Sequence, residues 1–353
     1  MSTTDRPHWA ARIEDVKNRI VGGVLRSLGW DLRLQPFHGY GIPSHVRILA
    51  KLLYATNGTP ADYYDQPVHD MRSMAVRGWR NFTAQVAPNR KVHISIGGKQ
   101  YTQRADRTGI VDARLDVDLE PGEHEAVLWT VPGNEVTATV TVYAHGERLG
   151  LVSDIDDTVM VTWLPRPMLA FWNAFVVHQS SRKVVRGMPM LYQRIMREHP
   201  DSPVVYLSTG AWNVFSVLKR FLYKNGYPDG PLLLTDWGPT NTGIFRSGQE
   251  HKERSLEQLA SFLPQVNWLL IGDDGQHDPS IYARFAEKRP ENVQAIAIRQ
   301  LTESEQLLAH GTTRPLEEPS EQDTTPPMVQ APDGHGLLKK LQQIGLLKAS
   351  ASR

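Results

Sequence analysis

The chain has 353 residues, with 39 Lys and Arg against 38 Asp and Glu and a formal net charge of +1. This length allows two or three domains with buried cores, and the balanced charge argues against nucleic acid as the main partner. The lack of cysteine excludes disulfides, thiolate metal sites and a cysteine nucleophile. No apolar run approaches the length of a transmembrane helix and the N-terminal residues do not resemble a signal peptide, so we expect a cytoplasmic protein.

The first segment, residues 1–39, is predicted to contain an amphipathic helix over residues 8–29. Apolar residues recur there at three- and four-residue spacing: Ile13, Val16, Ile20, Val24 and Leu28. Such a helix either packs against its own domain or lies on a membrane surface, and the sequence leaves both interpretations open.

Residues 40–148 show the pattern of a small antiparallel β-sandwich domain. Short runs of alternating apolar and polar residues are separated by Gly- and Pro-containing turns. A stretch over residues 66–87 interrupts them and has a helical pattern.

Residues 149–310 show a different pattern, in which continuous apolar runs alternate with amphipathic helices. The predicted strands are 149–154, 203–207, 231–235, 267–272 and 293–299, and the predicted helices are 187–199, 211–225, 252–263 and 279–288. This alternation is typical of an α/β fold in which helices cover both faces of a parallel sheet.

The remaining segment is predicted to be a disordered linker followed by a short helix. Residues 311–335 are rich in Pro, Glu, Thr and Gly. Residues 337–348 form a basic amphipathic pattern that could dock on protein or on anionic lipid.

Polar residues stand at the ends of the predicted strands, where an open α/β sheet binds its ligands. Asp154 and Asp156 follow the first strand, and their charges repel unless a cation or a shared proton relieves them. Ser208-Thr209-Gly210 and Gly272-Asp273-Asp274 follow the second and fourth strands, and Lys252 opens a helix at the same edge. We expect these distant segments to meet in one crevice.

Together these side chains supply the parts of a phosphoryl-transfer site. One carboxylate can attack phosphorus, and a second carboxylic acid can protonate the leaving alkoxide and then deprotonate water. A hydroxyl, backbone amides and a lysine can hold the phosphoryl oxygens. An all-oxygen ligand set favours Mg²⁺ over a softer metal.

The order of these residues resembles that of the haloacid dehalogenase-type phosphatases, whose four motifs match Asp154-x-Asp156-x-Thr158, Ser208, Lys252 and Gly272-Asp273. More narrowly, residues 150–300 resemble the catalytic domain of App1-type phosphatidate phosphatases. That likeness rests on six stretches: Ser153–Thr158, Gly187–Pro189, Leu207–Asn213, Gly230–Leu234, His251-Lys252 and Ile271–Pro279. The resemblance implies a haloacid dehalogenase-like, Rossmann-like catalytic domain behind the β-sandwich domain.

The resemblance also implies a role for each matched residue. Asp154 would be the nucleophile and a Mg²⁺ ligand, and Asp156 the general acid/base that also binds the metal through its backbone carbonyl. Thr158 would shape the loop. Ser208 would bond a phosphoryl oxygen, and Lys252 would neutralise charge on Asp154 and on the phosphate.

Asp273 would complete the metal site, directly or through water, with Asp278 as a supporting acid. The family usually has a small hydroxyl residue after the Gly-Asp pair, whereas this chain has Asp274, so either Asp273 or Asp274 could be the ligand. Three further residues are candidates for substrate contact: Thr209, Gly210 and Arg186.

The segment 159–186 lies where this superfamily inserts a cap, and it is apolar and then basic. It is either a buried helix with a basic end or a lip that admits a lipid phosphate. The resemblance implies Mg²⁺-dependent hydrolysis of phosphatidate to diacylglycerol, with peripheral membrane contact. A phosphatase of the same mechanism acting on a soluble phosphomonoester, and a non-catalytic scaffold with a phosphatase-like domain, are the alternatives.

Overall fold

The computed structural model describes residues 21–25, 27–56, 85–161, 183–235, 248–275, 277–310, 312–313 and 326–349. The chain divides into two compact units. The first consists of Met1–His145, Gly210–Ser216 and Thr235–Gly248, and the second of Gly146–Thr209, Val217–Leu234 and Gln249–Arg353. Among the described helices, none combines the length and the apolar character needed to cross a membrane.

The first unit contains a nine-stranded sheet. Its strands are β1 (Trp30–Pro36), β2 (Gly39–Ile42), β3 (His45–Thr56), β4 (Gln85–Val86), β5 (Lys91–Ile96), β6 (Lys99–Arg104), β7 (Ile110–Asp116), β8 (Gly122–Trp129) and β9 (Val136–Val142). The order is β1-β3-β2-β9-β8-β5-β6, and β4 and β7 also pair with β3. All pairs are antiparallel except β2 with β9. The predicted antiparallel sheet is confirmed, and its division into the two layers of a sandwich stays a prediction.

Alternate residues of β3 form the centre of this unit's core. Val46, Ile48, Ala50 and Leu52 are fully buried at a period of two, as a strand with one face on the core requires. Partly buried Trp30 and Leu32 of β1 pack on the same core. β1 thus lies ahead of the boundary that the sequence predicted at residue 39.

Only part of the predicted N-terminal helix lies within the described residues. Residues 21–25 are helical, and Leu25 packs against the core, whereas Val24 and Leu28 are 52% and 67% exposed. The remainder, residues 8–20, lies outside the described residues. So does most of the helix predicted over residues 66–87, whose last residues instead form β4.

The first unit also includes a short segment that follows the second apolar run of the α/β region. Phe37 stacks on Trp212, with ring centroids 4.3 Å apart, and contacts Phe215 at 4.4 Å. Gln35 Nε2 donates to Ser216 Oγ at 3.2 Å. These contacts explain why Gly210–Ser216 groups with the β unit, although the sequence placed it in the α/β domain.

The second unit contains a six-stranded sheet. Its strands are β10 (Arg148–Ser153), β11 (Val204–Ala211), β12 (Leu232–Thr235), β13 (Val266–Asp273), β14 (Val293–Arg299) and β15 (Met328–Ala331). Its helices are α1 (Met188–Glu198), α2 (Phe215–Lys224), α3 (Gly248–Phe262), α4 (Asp278–Lys288), α5 (Glu303–His310) and α6 (Gly334–Gln343), where α2 and α3 begin in segments that group with the first unit. The pairs β10–β11, β10–β13 and β13–β14 are parallel, as predicted, and so is β14–β15, whose second strand was not predicted.

The strand order reverses at one point of this sheet. The order is β12-β11-β10-β13-β14-β15, so the chain first runs outward from β10 to β12 and then returns to β13 on the other side. The connections after β10 and after β13 therefore leave in opposite directions, and open α/β sheets bind their ligands beyond the carboxyl ends of the strands at such a point.

The C-terminal part of the chain is more ordered than predicted. β15 pairs with β14, and α6 buries Leu337 and Leu341 against β15, β14 and α1. The prediction of disorder is therefore wrong for residues 326–335, and the α/β unit continues past the predicted end at residue 310. The apolar face of the tail helix is used by its own unit.

Candidate functional site

The register of three strands brings the predicted acidic segments to one level. Ser153, the last residue of β10, pairs with Tyr206 of β11 and with Ile271 of β13. The amide of Asp154 then donates to the Ile271 carbonyl at 2.9 Å. Ser208 lies inside β11, which is longer than predicted, and Asp273 ends β13.

Lys252 bridges two buried carboxylates. Its Nζ lies 2.6 Å from Asp154 Oδ1 and 2.5 Å from Asp278 Oδ1, and all three residues are at most 3% exposed. Because α3 begins at Gly248, Lys252 lies one turn inside the helix rather than at its start. This ion pair joins segments almost 100 residues apart in sequence, as the predicted convergence requires.

Asp154, Asp273 and Asp278 form what we name the acidic cluster. One carboxylate oxygen from each lies within 4.8 Å of the others. Asp154 Oδ2 and Asp278 Oδ2 are buried without a hydrogen-bond partner among the described residues. Buried carboxylate oxygens without donors need a cation or a proton, and three converging oxygen ligands suit a hard divalent ion.

The surroundings of the acidic cluster shift its ionisation strongly. Burial, with the negative charges of Asp278 and Asp156, outweighs Lys252 and raises the pKa of Asp154 to about 8. Burial and the charges of Asp278 and Asp154 likewise raise the pKa of Asp273 well above its ordinary value. Burial alone would lower the pKa of Lys252, but Asp154 and Asp278 raise it above its ordinary range. Lys252 is therefore a fixed positive charge.

Asp156 is held by a different partner. Ser208 Oγ donates to Asp156 Oδ2 at 3.2 Å, and Asp156 Oδ1 is buried with no partner among the described residues. The Asp156 carboxylate is not part of the acidic cluster. Nearby, Thr158 Oγ1 donates to Asp273 Oδ2 at 3.4 Å, a long contact that links the loop after β10 to the end of β13.

The structure separates the roles of Asp273 and Asp274. Asp273 faces the acidic cluster, and its Oδ1 accepts from the Gly275 amide at 2.8 Å. Asp274 instead accepts from the amide of Leu301 and from Gln306 Nε2, each at 2.8 Å. Between the two adjacent acids, Asp273 is the candidate metal ligand.

The Asp278 carboxylate lies so close to Gly272 that a larger residue would clash with it. A Cβ at this position would lie 2.5 Å from Asp278 Oδ2 and 2.8 Å from the Tyr282 ring. Asp278 is the first residue of α4, whose N-cap position is His277, so its carboxylate serves the cluster rather than capping the helix. The resemblance implied that Asp278 is a supporting acid, and the structure places its carboxylate in direct contact with Lys252.

Three predicted substrate-contact residues are less closely tied to the cluster. Arg186 is exposed, and its side chain makes no hydrogen bond or ion pair with the described residues. Thr209 is half-buried and Gly210 is buried, both directly after Ser208 in β11.

The two described ends of the segment 159–186 pair with each other. The amide of Val161 donates to the Lys183 carbonyl at 2.9 Å, and that of Val185 donates to the Val159 carbonyl at 3.2 Å. Tyr227 Oη also donates to the Val159 carbonyl, at 2.9 Å. Residues 162–182, which contain most of the apolar and basic residues of this segment, lie outside the described part of the chain.

Two residues that support the site were not predicted. The hydroxyls of Tyr192 and Ser153 lie 2.5 Å apart, and Ser153 Oγ donates to the Asp154 carbonyl at 2.6 Å. Arg299 Nη1 donates to the Asp157 carbonyl at 2.6 Å. A charged residue that ends the apolar run of β14 is a signal for Arg299, whereas Tyr192 looks like an ordinary core residue of α1.

The structure therefore shows a parallel α/β sheet with a lysine-bridged acidic cluster beyond the ends of β10 and β13. Comparison with known proteins narrows the class of protein. Residues 149–300 match the family model described as the phosphatidate phosphatase APP1 catalytic domain. The resemblance predicted from the motifs is confirmed over the same part of the chain.

Two curated fungal proteins are similar over about half of this chain. Phosphatidate phosphatase APP1 of Saccharomyces cerevisiae is 27% identical over 190 residues, covering 54% of this chain and 30% of the yeast protein. An uncharacterized protein of Schizosaccharomyces pombe is 25% identical over 187 residues, covering 52% of this chain and 31% of its own length. The matched part is thus less than a third of either relative.

A similarity among solved structures is much weaker. A carbohydrate acetylesterase from Xanthomonas citri covers 77% of this chain and is covered over 68% of its own, with 10% identity and a TM-score of 0.27.

Proposed function

We propose that this protein is a phosphoric monoester hydrolase with a haloacid dehalogenase-like, Rossmann-like catalytic unit. The observation that carries the proposal is the contact of Lys252 with both Asp154 and Asp278, with Asp273 in the same cluster. The strand order, which reverses between β10 and β13, and the match to a phosphatase catalytic domain also support it. A scaffold without catalysis would have no need to bury three carboxylates beside a single lysine.

In the proposed reaction, Asp154 attacks the phosphorus atom of the bound ester. The bond between phosphorus and the ester oxygen breaks, an aspartyl-phosphate forms, and the leaving alkoxide takes a proton from Asp156. Asp156 then removes a proton from water, which attacks phosphorus and releases phosphate and the Asp154 carboxylate. Lys252 provides the positive charge beside Asp154 that the phosphoryl oxygens need.

The donor set fits Mg²⁺. Asp154, Asp273 and Asp278 would hold it, since their oxygens converge and two of them have no hydrogen-bond partner among the described residues. A bound Mg²⁺ supplies positive charge that offsets the repulsion between carboxylate and phosphate. Whether the Asp156 carbonyl joins the ligand set stays a prediction of the resemblance.

For the substrate we propose a lipid phosphate, phosphatidate, hydrolysed to diacylglycerol. The named yeast relative and the apolar and basic composition of residues 162–182 support this choice. The same composition supports contact with a membrane surface from the cytoplasm. A soluble phosphomonoester processed by the same residues is the alternative.

The test is phosphate release from phosphatidate in mixed micelles and from a panel of soluble phosphomonoesters, each with Mg²⁺ and with EDTA. We expect turnover of phosphatidate that needs Mg²⁺ and is lost in Asp154→Asn. The matched control is Glu253→Gln on α3, whose carboxylate forms an exposed ion pair with Arg284 and should leave activity unchanged. Full turnover by a folded Asp154→Asn protein contradicts the mechanism, and far faster turnover of soluble esters contradicts the lipid assignment.

A further inference from the structure

Arg299 is a buried cation that the proposed reaction does not use directly. It ends β14, is 5% exposed, and donates to three acceptors. Nη1 lies 2.6 Å from the Asp157 carbonyl, Nη2 lies 2.6 Å from Glu305 Oε1, and Nε lies 3.3 Å from the Pro332 carbonyl. The guanidinium has five N–H donors in a fixed planar fork, so it can hold three acceptors that are too widely spaced for the compact ammonium group of a lysine.

The most informative of these contacts is the one to Asp157. Asp157 has a φ of 58°, in the left-handed region that residues other than glycine adopt only with backbone strain. It lies between Asp156 and Thr158, so its conformation sets the direction of both neighbouring side chains. The Arg299 contact, together with the amide of Asp157 donating to the Met160 carbonyl at 2.8 Å, holds this conformation.

The same short stretch of chain also holds the other acidic loop. The amide of Asp274 donates to the Arg299 carbonyl at 3.0 Å, and the Asp274 carboxylate accepts from Leu301 and Gln306. We name residues 299–306 the bracket. It contacts the loop after β10 through the Asp157 carbonyl and the loop after β13 through Asp274.

We propose that Arg299 is a positioning residue for Asp156, acting through the backbone of Asp157. This inference rests on the proposed function, in which Asp156 protonates the leaving alkoxide. Two contacts orient Asp156. Ser208 donates to its carboxylate, and Arg299 donates to the backbone carbonyl of the next residue, Asp157. Without Arg299 the loop relaxes out of the left-handed conformation, and Asp156 turns away from the leaving oxygen.

The proposal predicts a dependence on the leaving group. Phosphatidate releases an alkoxide that must be protonated, whereas para-nitrophenyl phosphate releases a phenolate that is stable without a proton. A misplaced general acid therefore slows the first substrate much more than the second. In Arg299→Met we expect kcat on phosphatidate micelles to fall about 10- to 100-fold, with KM nearly unchanged and a much smaller loss on para-nitrophenyl phosphate.

The matched control is Arg47→Met. Arg47 is an equally buried arginine, 7% exposed, that donates to Asp112 at 2.8 and 2.9 Å and to Tyr40 at 2.7 Å within the first unit. Arg47→Met should lower the melting temperature, and any loss of activity should be the same on phosphatidate and on para-nitrophenyl phosphate. Asp156→Asn should show the same leaving-group preference as Arg299→Met.

The outcomes separate the two proposals. Wild-type protein inactive on both substrates overturns the proposed function itself. Active wild type, with Arg299→Met losing equally on both substrates, assigns Arg299 a structural role and overturns this inference. If Arg299→Met does not fold, Arg299→Lys is tested instead. The lysine ammonium reaches fewer acceptors, so this variant should also lose more activity on phosphatidate than on para-nitrophenyl phosphate, but by a smaller factor.

Discussion

The ammonium group of Lys252 lies 2.6 Å from the carboxylate of Asp154, and both side chains are almost completely excluded from water. A buried pair of this kind is balanced only as long as both partners remain, because either charge alone is expensive to bury. Here one lysine serves two carboxylates while Asp273 adds a third. With all three carboxylates ionised, the cluster would therefore carry more negative charge than Lys252 compensates.

This excess of charge predicts a pH-dependent stability in EDTA. Burial raises the pKa of Asp154 to about 8, so in the window from its unfolded value near 4 up to about 8 the native state binds more protons than the unfolded chain. The free energy of unfolding should therefore decrease as pH rises through that window. Asp154→Asn removes this group, so its melting temperature should depend less on pH. Parallel pH profiles of the melting temperature for the two proteins would contradict the prediction, and Mg²⁺ should flatten the wild-type profile.

A comparison of the two adjacent acids tests the ligand assignment. Asp273→Asn should abolish Mg²⁺ binding in a calorimetric titration, because it removes one of three converging charges. Asp274→Asn keeps an oxygen that can accept from Leu301 and Gln306, so it should retain Mg²⁺ binding. The reverse pattern would assign the metal to Asp274.

Gly272→Ala should disable the site through a single methyl group. The new Cβ would overlap the Asp278 carboxylate, forcing it away from Lys252 and from the cluster. We expect loss of Mg²⁺ affinity and at least a 10-fold loss of phosphate release, since positioning at this scale is decisive. Gly23→Ala is the control, because nothing lies within 4 Å of its Cβ position. An active Gly272→Ala protein with normal Mg²⁺ affinity would rule out the close approach.

The tail helix α6 should contribute strongly to stability. Leu337 is fully buried, so Leu337→Ala should lower the free energy of unfolding by about 2–5 kcal/mol in denaturant titrations. Leu307→Ala, at a side chain that is 51% exposed, should change it by less than about 1 kcal/mol. Equal effects would mean that α6 is not part of the core. Vesicle binding is not the role that these contacts indicate for the helix.

The sequence predicted the parallel sheet and the meeting of its loops because the relevant signals are local. Continuous apolar runs locate β10, β11 and β13, and a polar residue at the end of each run locates the site. The bond between Lys252 and Asp278 could not be predicted, because nothing local in either helix specifies the partner of the other.

Two further features depend on tertiary structure. Asp273 and Asp274 are the same residue type, and only their opposite directions at the end of β13 give them different partners. β15 has four residues after a stretch rich in Pro and Thr, so composition indicated disorder. It forms a strand because β14 offers it unpaired backbone groups, a preference that outweighs local composition.

The position of β15 has a practical consequence for anyone who studies the catalytic unit alone. A fragment cut at residue 300, where the family match ends, would leave one edge of β14 unpaired and remove α6 and the part of the bracket after Gln300. An exposed edge strand can pair with strands of other chains through its free N–H and C=O groups, so the fragment should aggregate. A soluble fragment should extend through Lys348, whose amide donates to Glu198 of α1 at 2.9 Å.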